Sequence, residues 1–139
     1  MIDKIGCIML VDDDDDDNFF HARAIKENKL AETVIIQDSA KKALKYLRDK
    51  EDPTSDLIFL DINMPVMSGW EFLNEYGQLD KDLRGKTIII MLSTSQNPTD
   101  IAKSKTWDFV SDYVTKPLTK EILERIIRKY FNNTTKSLA

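Results

Sequence analysis

The sequence predicts an α/β protein built on an open parallel sheet with helices on both faces. Five short apolar runs alternate with five stretches of helical pattern along 139 residues, and strands alternating with helices build parallel sheets through right-handed crossovers. The length suits one domain. Four of the runs also stop at chemically reactive side chains, at Asp12–Asp13, Asp61, Ser93 and Lys116. In an open parallel sheet, ligands bind beyond the C-terminal ends of the strands.

The first run, Ile5–Val11 (IGCIMLV), is continuous and ends on an acidic cluster, as a buried strand does. Asn18–Leu30 follows with Phe19, Phe20, Ala22, Ala24 and Ile25 in a helical pattern, and Thr33–Ile36 is a short second strand. Ser39–Arg48 places Ala40, Ala43, Leu44 and Leu47 on one helical face, with Ser39 or Asp38 as N-cap. Asp56–Leu60 is the third strand, ending at Asp61; a turn over Pro65–Gly69 leads to a helix over Trp70–Tyr76. Thr87–Leu92 is the fourth strand, ending at Ser93–Thr94–Ser95, and Pro98–Phe109 reads as a less apolar helix. Tyr113–Thr115 is the fifth strand, stopped by Lys116–Pro117. Thr119–Phe131 carries Ile122, Leu123, Ile126, Ile127 and Tyr130 at helical spacing, with Thr119 at its start. Pro53–Ser55 and Gly77–Gly85 read as loops, and Asn132–Ala139 as a polar tail that frays.

Hydrophobic residues make up 42% and charged residues 32%, the balance of a soluble globular chain. A net charge of −4 and a pI of about 5 argue against a nucleic-acid-binding face, which is normally basic. The single Cys7 rules out an intramolecular disulfide and any multi-cysteine metal site, and its place in an apolar run makes it a core residue. The first apolar stretch is too short to span a membrane and has no cleavage-site pattern, so a cytoplasmic location is the expectation.

The strand ends carry the chemistry. The fold would bring Asp12, Asp13 and Asp61, the Ser93 hydroxyl and the Lys116 amine to one edge. Converging carboxylates repel, and a hard divalent cation such as Mg²⁺ removes that penalty through carboxylate and phosphate oxygens. A carboxylate can attack phosphorus to give an aspartyl-phosphate. An ammonium and a hydroxyl can then stabilise the transferred group.

Four stretches, Ile8–Asp13 (IMLVDD), Phe59–Gly69 (FLDINMPVMSG), Ile89–Ser93 (IIMLS) and Tyr113–Pro117 (YVTKP), resemble the four signatures of response regulator receiver domains in order and spacing. The resemblance runs from roughly Lys4 to Phe131 and is to the stand-alone type, similar to the chemotaxis regulators. It implies a flavodoxin-like five-stranded parallel sheet of order 2-1-3-4-5 over residues 1–131, followed by the tail over 132–139. It also implies roles. Asp61 is the phosphoacceptor; Asp13 binds Mg²⁺ directly and Asp12 acts at the metal through water; the Asn63 carbonyl completes the protein's ligands. Lys116 pairs with the phosphoryl group or with Asp61. Ser93 is the switch hydroxyl that moves toward the phosphate, Tyr113 is the aromatic that changes rotamer with it, and Lys116–Pro117 is cis.

The implied function is a signalling phosphoacceptor rather than an enzyme acting on other substrates. A sensor histidine kinase or a histidine phosphotransfer protein supplies the phosphoryl group. Output is by protein–protein contact at the face of the fourth helix, fifth strand and fifth helix, or by onward transfer in a relay; neither nucleic acid nor membrane is an expected partner. By the same resemblance Asn63 and Ser95 flank the path of attacking water, and neither blocks it, so a readily reversible phosphate is expected.

Three features depart from the pattern or invite other readings. Thr94 is the alternative switch hydroxyl, although Ser93 directly follows the apolar strand. The run Asp12–Asp17 has six acids where relatives carry two or three; Asp14–Asp17 reads as solvated loop and first helical turn, where acids complement the helix dipole, and otherwise as a stronger negative field at the metal. A calcium EF-hand fails, since Asp17 and Arg23 stand where that loop needs Gly and Glu. His21, the lone histidine, is expected at the surface or boundary of its helix, and Trp70 and Trp107 as packing residues. Two other classes compete: a phosphatase of the haloacid-dehalogenase type, whose nucleophile comes first and paired acids last, opposite to the order here, and a degenerate receiver used only for docking, against which the intact set of strand-end residues argues.

Overall fold

The computed structural model describes residues 4–131; the tail expected over 132–139 lies outside the described residues. Five strands, β1 (Ile5–Val11), β2 (Ala31–Gln37), β3 (Leu57–Leu60), β4 (Ile88–Ser93) and β5 (Val110–Thr115), form one sheet in the order β2-β1-β3-β4-β5. Every neighbouring pair is parallel. The five principal helices are α1 (Asp15–Glu27), α2 (Ala40–Arg48), α3 (Gly69–Gly77), α4 (Pro98–Ser104) and α5 (Lys120–Tyr130). The order is the 2-1-3-4-5 expected.

Two apolar layers hold the sheet. On one face Ile8, Leu10, Phe59 and Ile90 pack with Ile25 of α1 and Leu123, Ile126 and Ile127 of α5. On the other, Met9, Val11, Ile58, Leu60 and Met91 pack with Leu44 of α2 and Phe72, Leu73 and Tyr76 of α3. Successive strand side chains point to opposite faces, so β1, β3 and β4 feed both layers and read as continuous apolar runs. Cys7 is buried in β1, as expected.

Where elements differ from the sequence reading, local hydrogen bonding decides. Helix α1 starts three residues earlier than expected, because Asp14 is its N-cap and accepts from the Asp17 backbone N–H. Ser39 caps α2 and Thr119 caps α5. Helix α3 opens on a capping box in which Ser68 and Glu71 satisfy each other's backbone N–H. The loop expected over Gly77–Gly85 holds a one-turn helix, Lys81–Arg84, and Gly77 closes α3.

Helix α4 is the largest difference: it ends at Ser104, not Phe109. Ser104 and Thr106 donate their hydroxyls to the Ile101 and Lys103 carbonyls near the helix end. Trp107, Phe109 and Val110 then turn into the second apolar layer, and Trp107 stacks on Trp70 with ring centroids 5.5 Å apart. Strand β5 is correspondingly longer at its start, with an irregularity in its register between Ile89 and Ile90 of β4.

Gly69 fixes the approach of α3 to the end of β3. Its N–H donates to the Ile62 carbonyl at 2.8 Å. A Cβ there would overlap the Asp61 carbonyl oxygen and lie 2.9 Å from Ile62 Cα. Both neighbours are backbone and cannot step aside. Gly69→Ala should therefore cost on the order of 2–3 kcal/mol of stability. Gly77→Ala, whose Cβ would meet only the Phe109 ring at 3.3 Å, should cost under about 1 kcal/mol. Equal losses of the two variants in urea denaturation would contradict this account.

Candidate functional site

Strands β1 and β3 are neighbours, so their ends deliver acids to one place. Asp12 and Asp61 are 4% and 8% exposed, while Asp13 is exposed. Asp12, Asp13 and Asp61 each offer an oxygen within 4.8 Å of the others. Backbone bonds fix the two strand ends: Asp61 N–H donates to the Val11 carbonyl at 3.0 Å and Asp12 N–H to the Gln37 carbonyl at 3.1 Å. Asn18 donates its amide to the Asp12 carbonyl at 2.8 Å, and Asp12 Oδ1 accepts from the Asp14 N–H at 3.0 Å. The acids open onto a cleft of about 450 Å³ lined by Asp12, Asp13, Asp14, Asp17, Asp61, Asn63, Thr94 and Lys116.

Lys116 enters this edge from the end of β5, which its N–H joins to the Ser93 carbonyl at 2.8 Å. Its side chain is 9% exposed, and Nζ lies 2.6 Å from Asp12 Oδ2, 2.8 Å from Asp17 Oδ2 and 3.7 Å from Asp61 Oδ1. The closest pairings are thus with Asp12 and Asp17; the resemblance implied the phosphoryl group or Asp61, and the Asp61 ion pair is present but longer. Burial pulls the ammonium toward its neutral form, but the bonds from Asp12 and Asp17 and the Asp61 charge outweigh that and hold its pKa above the ordinary lysine value. Asp61 is left short of positive charge. Burial first, then the Asp12 carboxylate, push its pKa up to about 6, against the opposing pull of Lys116 and the Ile62 N–H.

Of the residues singled out, Asp12, Asp13, Asp61, Asn63 and Lys116 line the cleft together. Ser93 and Tyr113 do not. Ser93 is fully buried, its Oγ accepting from the Ser95 N–H at 3.1 Å; Tyr113 is half-buried and donates its hydroxyl to the Ser95 carbonyl at 2.8 Å. Thr94, the alternative hydroxyl, is the one that borders the cleft. Lys116–Pro117 is cis, as the resemblance implied, and so is Asp52–Pro53.

Two expectations about helix α1 need correction. His21 is 4% exposed rather than at the surface, and packs with Asn18 behind Asp12 and Asp61. Burial holds its pKa below the ordinary value, against the nearby charge of Asp17. Asp17 is not merely solvated: its side chain is 34% exposed and its carboxylate bonds Lys116. The signal for both was helical spacing. Asn18, His21, Ala22 and Ile25 are the buried stripe of α1, and Asp17 lies one turn before His21 on the same side. Asp15 and Asp16 are exposed in the first turn, as expected.

The arrangement suits one chemistry. Three oxygen-donating carboxylates with one buried ammonium can hold a hard divalent cation and an anionic group beside it. The oxygen-only donor set fits Mg²⁺ rather than a softer metal.

Comparison with known proteins gives one family. The response regulator receiver domain matches residues 8–128. The two-component response regulator ARR14 of Arabidopsis thaliana is 33% identical over 98 residues, covering 70% of this chain and 24% of that protein. The chain therefore spans about a quarter of the length of this curated relative. A two-component response regulator from Cytophaga hutchinsonii is 33% identical, with a TM-score of 0.86 over 94% of this chain and 100% of that one. A response regulator receiver protein from Dyadobacter fermentans is 26% identical, with a TM-score of 0.80 over 90% of this chain and 97% of that one.

The raised pKa of Asp61 makes a stability forecast. Between the ordinary carboxylate value near 4 and the folded value of about 6, the folded chain holds a proton that the unfolded chain has released. Stability from this group is complete below pH 4 and lost as pH rises through 6. In metal-free buffer, Asp61→Asn should raise stability at pH 7 by on the order of 2 kcal/mol and give no comparable gain below pH 4. Denaturant unfolding at the two pH values checks it; an equal gain at both would remove the electrostatic explanation.

Proposed function

Because this chain belongs to the response regulator receiver family, we propose that it is a phosphoacceptor module of a two-component or phosphorelay system and that Asp61 takes the phosphoryl group. The observation that carries the reading is the position of Asp61, at a strand end within reach of both a paired-acid cluster and a buried lysine. A histidine kinase or a histidine phosphotransfer protein is the donor. Asp61 Oδ attacks phosphorus in line with the donor nitrogen; the new P–O bond forms as the P–N bond breaks. The electron pair of that bond stays on the imidazole, which takes a proton.

Asp13 would hold Mg²⁺ directly and Asp12 would act at it through water, while Asp61 and the Asn63 carbonyl would supply the remaining protein oxygens. Bound there, Mg²⁺ supplies positive charge that offsets the carboxylates and the phosphoryl oxygens. Lys116, whose Nζ lies 3.7 Å from Asp61 Oδ1, contributes a second positive charge. Both charges favour the ionised, nucleophilic form of Asp61, against the burial that raises its pKa.

Output follows from the loop after β4. Ser93 is the switch hydroxyl, and it must leave its buried bond to the Ser95 N–H to reach the phosphoryl group. Tyr113 is tied to the same Ser95 by its hydroxyl, so movement of that loop frees the ring. The downstream partner binds the α4–β5–α5 face, whose shape the loop controls.

Acetyl phosphate with Mg²⁺ should add one phosphoryl group to the intact mass, and Asp61→Asn should abolish the gain. Asp13→Ala should raise the Mg²⁺ requirement at least about tenfold, as losing a ligand from a small oxygen site does, whereas Asp16→Ala should leave it nearly unchanged. A mass gain that survives Asp61→Asn, or equal losses for the two alanine variants, would be incompatible with this site.

A further inference from the structure

Asp17 is the acid that the family pattern leaves without a role, and the structure gives it a partner. We propose that Asp17 is a positioning residue that holds the Lys116 ammonium away from Asp61 and so slows phosphoryl acceptance. The inference rests on the reading of Asp61 as phosphoacceptor and goes beyond it by assigning a brake.

The geometry supports it in three steps. First, an ammonium has three donors, and two are committed, to Asp12 at 2.6 Å and to Asp17 at 2.8 Å. The Asp61 contact, at 3.7 Å, is an ion pair beyond hydrogen-bond range. Second, the two holders differ. Asp12 is buried, fixed by Asn18 and by the Asp14 N–H, and is among the acids that converge for a metal. Asp17 lies outside that converging group, at the first turn of α1 and 34% exposed. A cation drawing on the Asp12 oxygens would leave Asp17 as the principal partner competing for Lys116. Third, the lysine is most useful when charge gathers on the transferring phosphoryl oxygens. A bond that is stronger before the transfer than during it raises the barrier.

The direction follows. Removing the Asp17 charge frees the ammonium and speeds acceptance. The bond lies between a buried ammonium and a partly exposed carboxylate, so its loss should accelerate the reaction about threefold to tenfold.

The test measures phosphorylation by acetyl phosphate at saturating Mg²⁺, using intact mass over time, for wild type and for Asp17→Asn, Asp17→Glu and Asp16→Asn. Asp17→Asn should be about threefold to tenfold faster than wild type, while Asp17→Glu, which restores the carboxylate, and Asp16→Asn, which removes an equal charge from an exposed neighbour, should stay within about twofold of it. The Mg²⁺ dissociation constants of Asp17→Asn and Asp16→Asn should agree, because the effect runs through lysine and not through the metal. The proposal is overturned if Asp17→Asn is no faster than Asp16→Asn, or if Asp17→Glu is as fast as Asp17→Asn. Wild-type protein that takes up no phosphoryl group refutes the phosphoacceptor reading together with this one; normal uptake at Asp61 with an unaccelerated Asp17→Asn refutes this one alone.

Discussion

The pairing of a single buried ammonium with several carboxylates governs the site. The sheet order puts β1 beside β3, so Asp12, Asp13 and Asp61 cannot be kept apart. Lys116 arrives from β5, on the far side of β4, and its ammonium reaches Asp12 at the end of β1. Its charge is divided unequally. Asp12 and Asp17 take the short bonds, and Asp61 receives a weaker contact. Burial and the neighbouring Asp12 carboxylate push Asp61 toward its neutral form, and the weaker contact with Lys116 only partly offsets them. A cleft with one ammonium among five acids is poised to bind positive charge, and the protein keeps it poised by burial.

The scaffold can hold such repulsion because the apolar layers are continuous beneath it. Ile8, Met9, Leu57, Ile58, Leu60, Ile89, Ile90 and Met91 are fully buried in the three central strands. These are the strands whose ends carry Asp12, Asp61 and Ser93. The reactive edge is therefore anchored to the least movable part of the chain, while the connecting loops remain at the surface. Gly69 adds a second constraint: no side chain larger than hydrogen fits where α3 meets the Asp61 carbonyl.

What the sequence made legible follows from periodicity. Strands β1, β3 and β4 are apolar on both faces and stand out as runs, and the acids that stop two of them were readable for the same reason. The amphipathic helices α2 and α5 matched their spacing closely, since Ser39 and Thr119 cap them through local bonds. Helix α4 was overextended because its end depends on Ser104 and Thr106 turning back to their own carbonyls and on Trp107 finding Trp70, a contact far away in sequence. The His21 error has another origin. A histidine in a stretch headed by acids reads as polar surface, yet Asn18, His21 and Ile25 form one stripe that faces the sheet. Asp17 was hidden by its neighbours: in a run of six identical acids, composition cannot say which one meets a lysine 99 residues away.

The loop after β4 shows why a change at the cleft need not stay there. Ser95 joins several bonds at once. Its N–H donates to Ser93 Oγ, its carbonyl accepts from Tyr113, its hydroxyl donates to Asp100 of α4 at 2.6 Å and accepts from the Asn97 N–H. Asn97 in turn caps α4 by accepting from the Thr99 N–H. In the proposed function, a phosphoryl group on Asp61 draws Ser93 toward the cleft, and Ser93 cannot move without releasing Ser95. The bonds made by Ser95 reach the N-terminus of α4 on one side and the Tyr113 ring of β5 on the other. The energy needed is modest, since each such bond contributes only about 0.5–1.5 kcal/mol net, and a phosphoryl group with its charge-assisted contacts can supply it. Helix α4, seven residues with only Ser104 buried, is the least held by the core of the five principal helices. In that reading, a small displacement at Ser95 would be expressed at the α4–β5 surface rather than absorbed in the apolar layers.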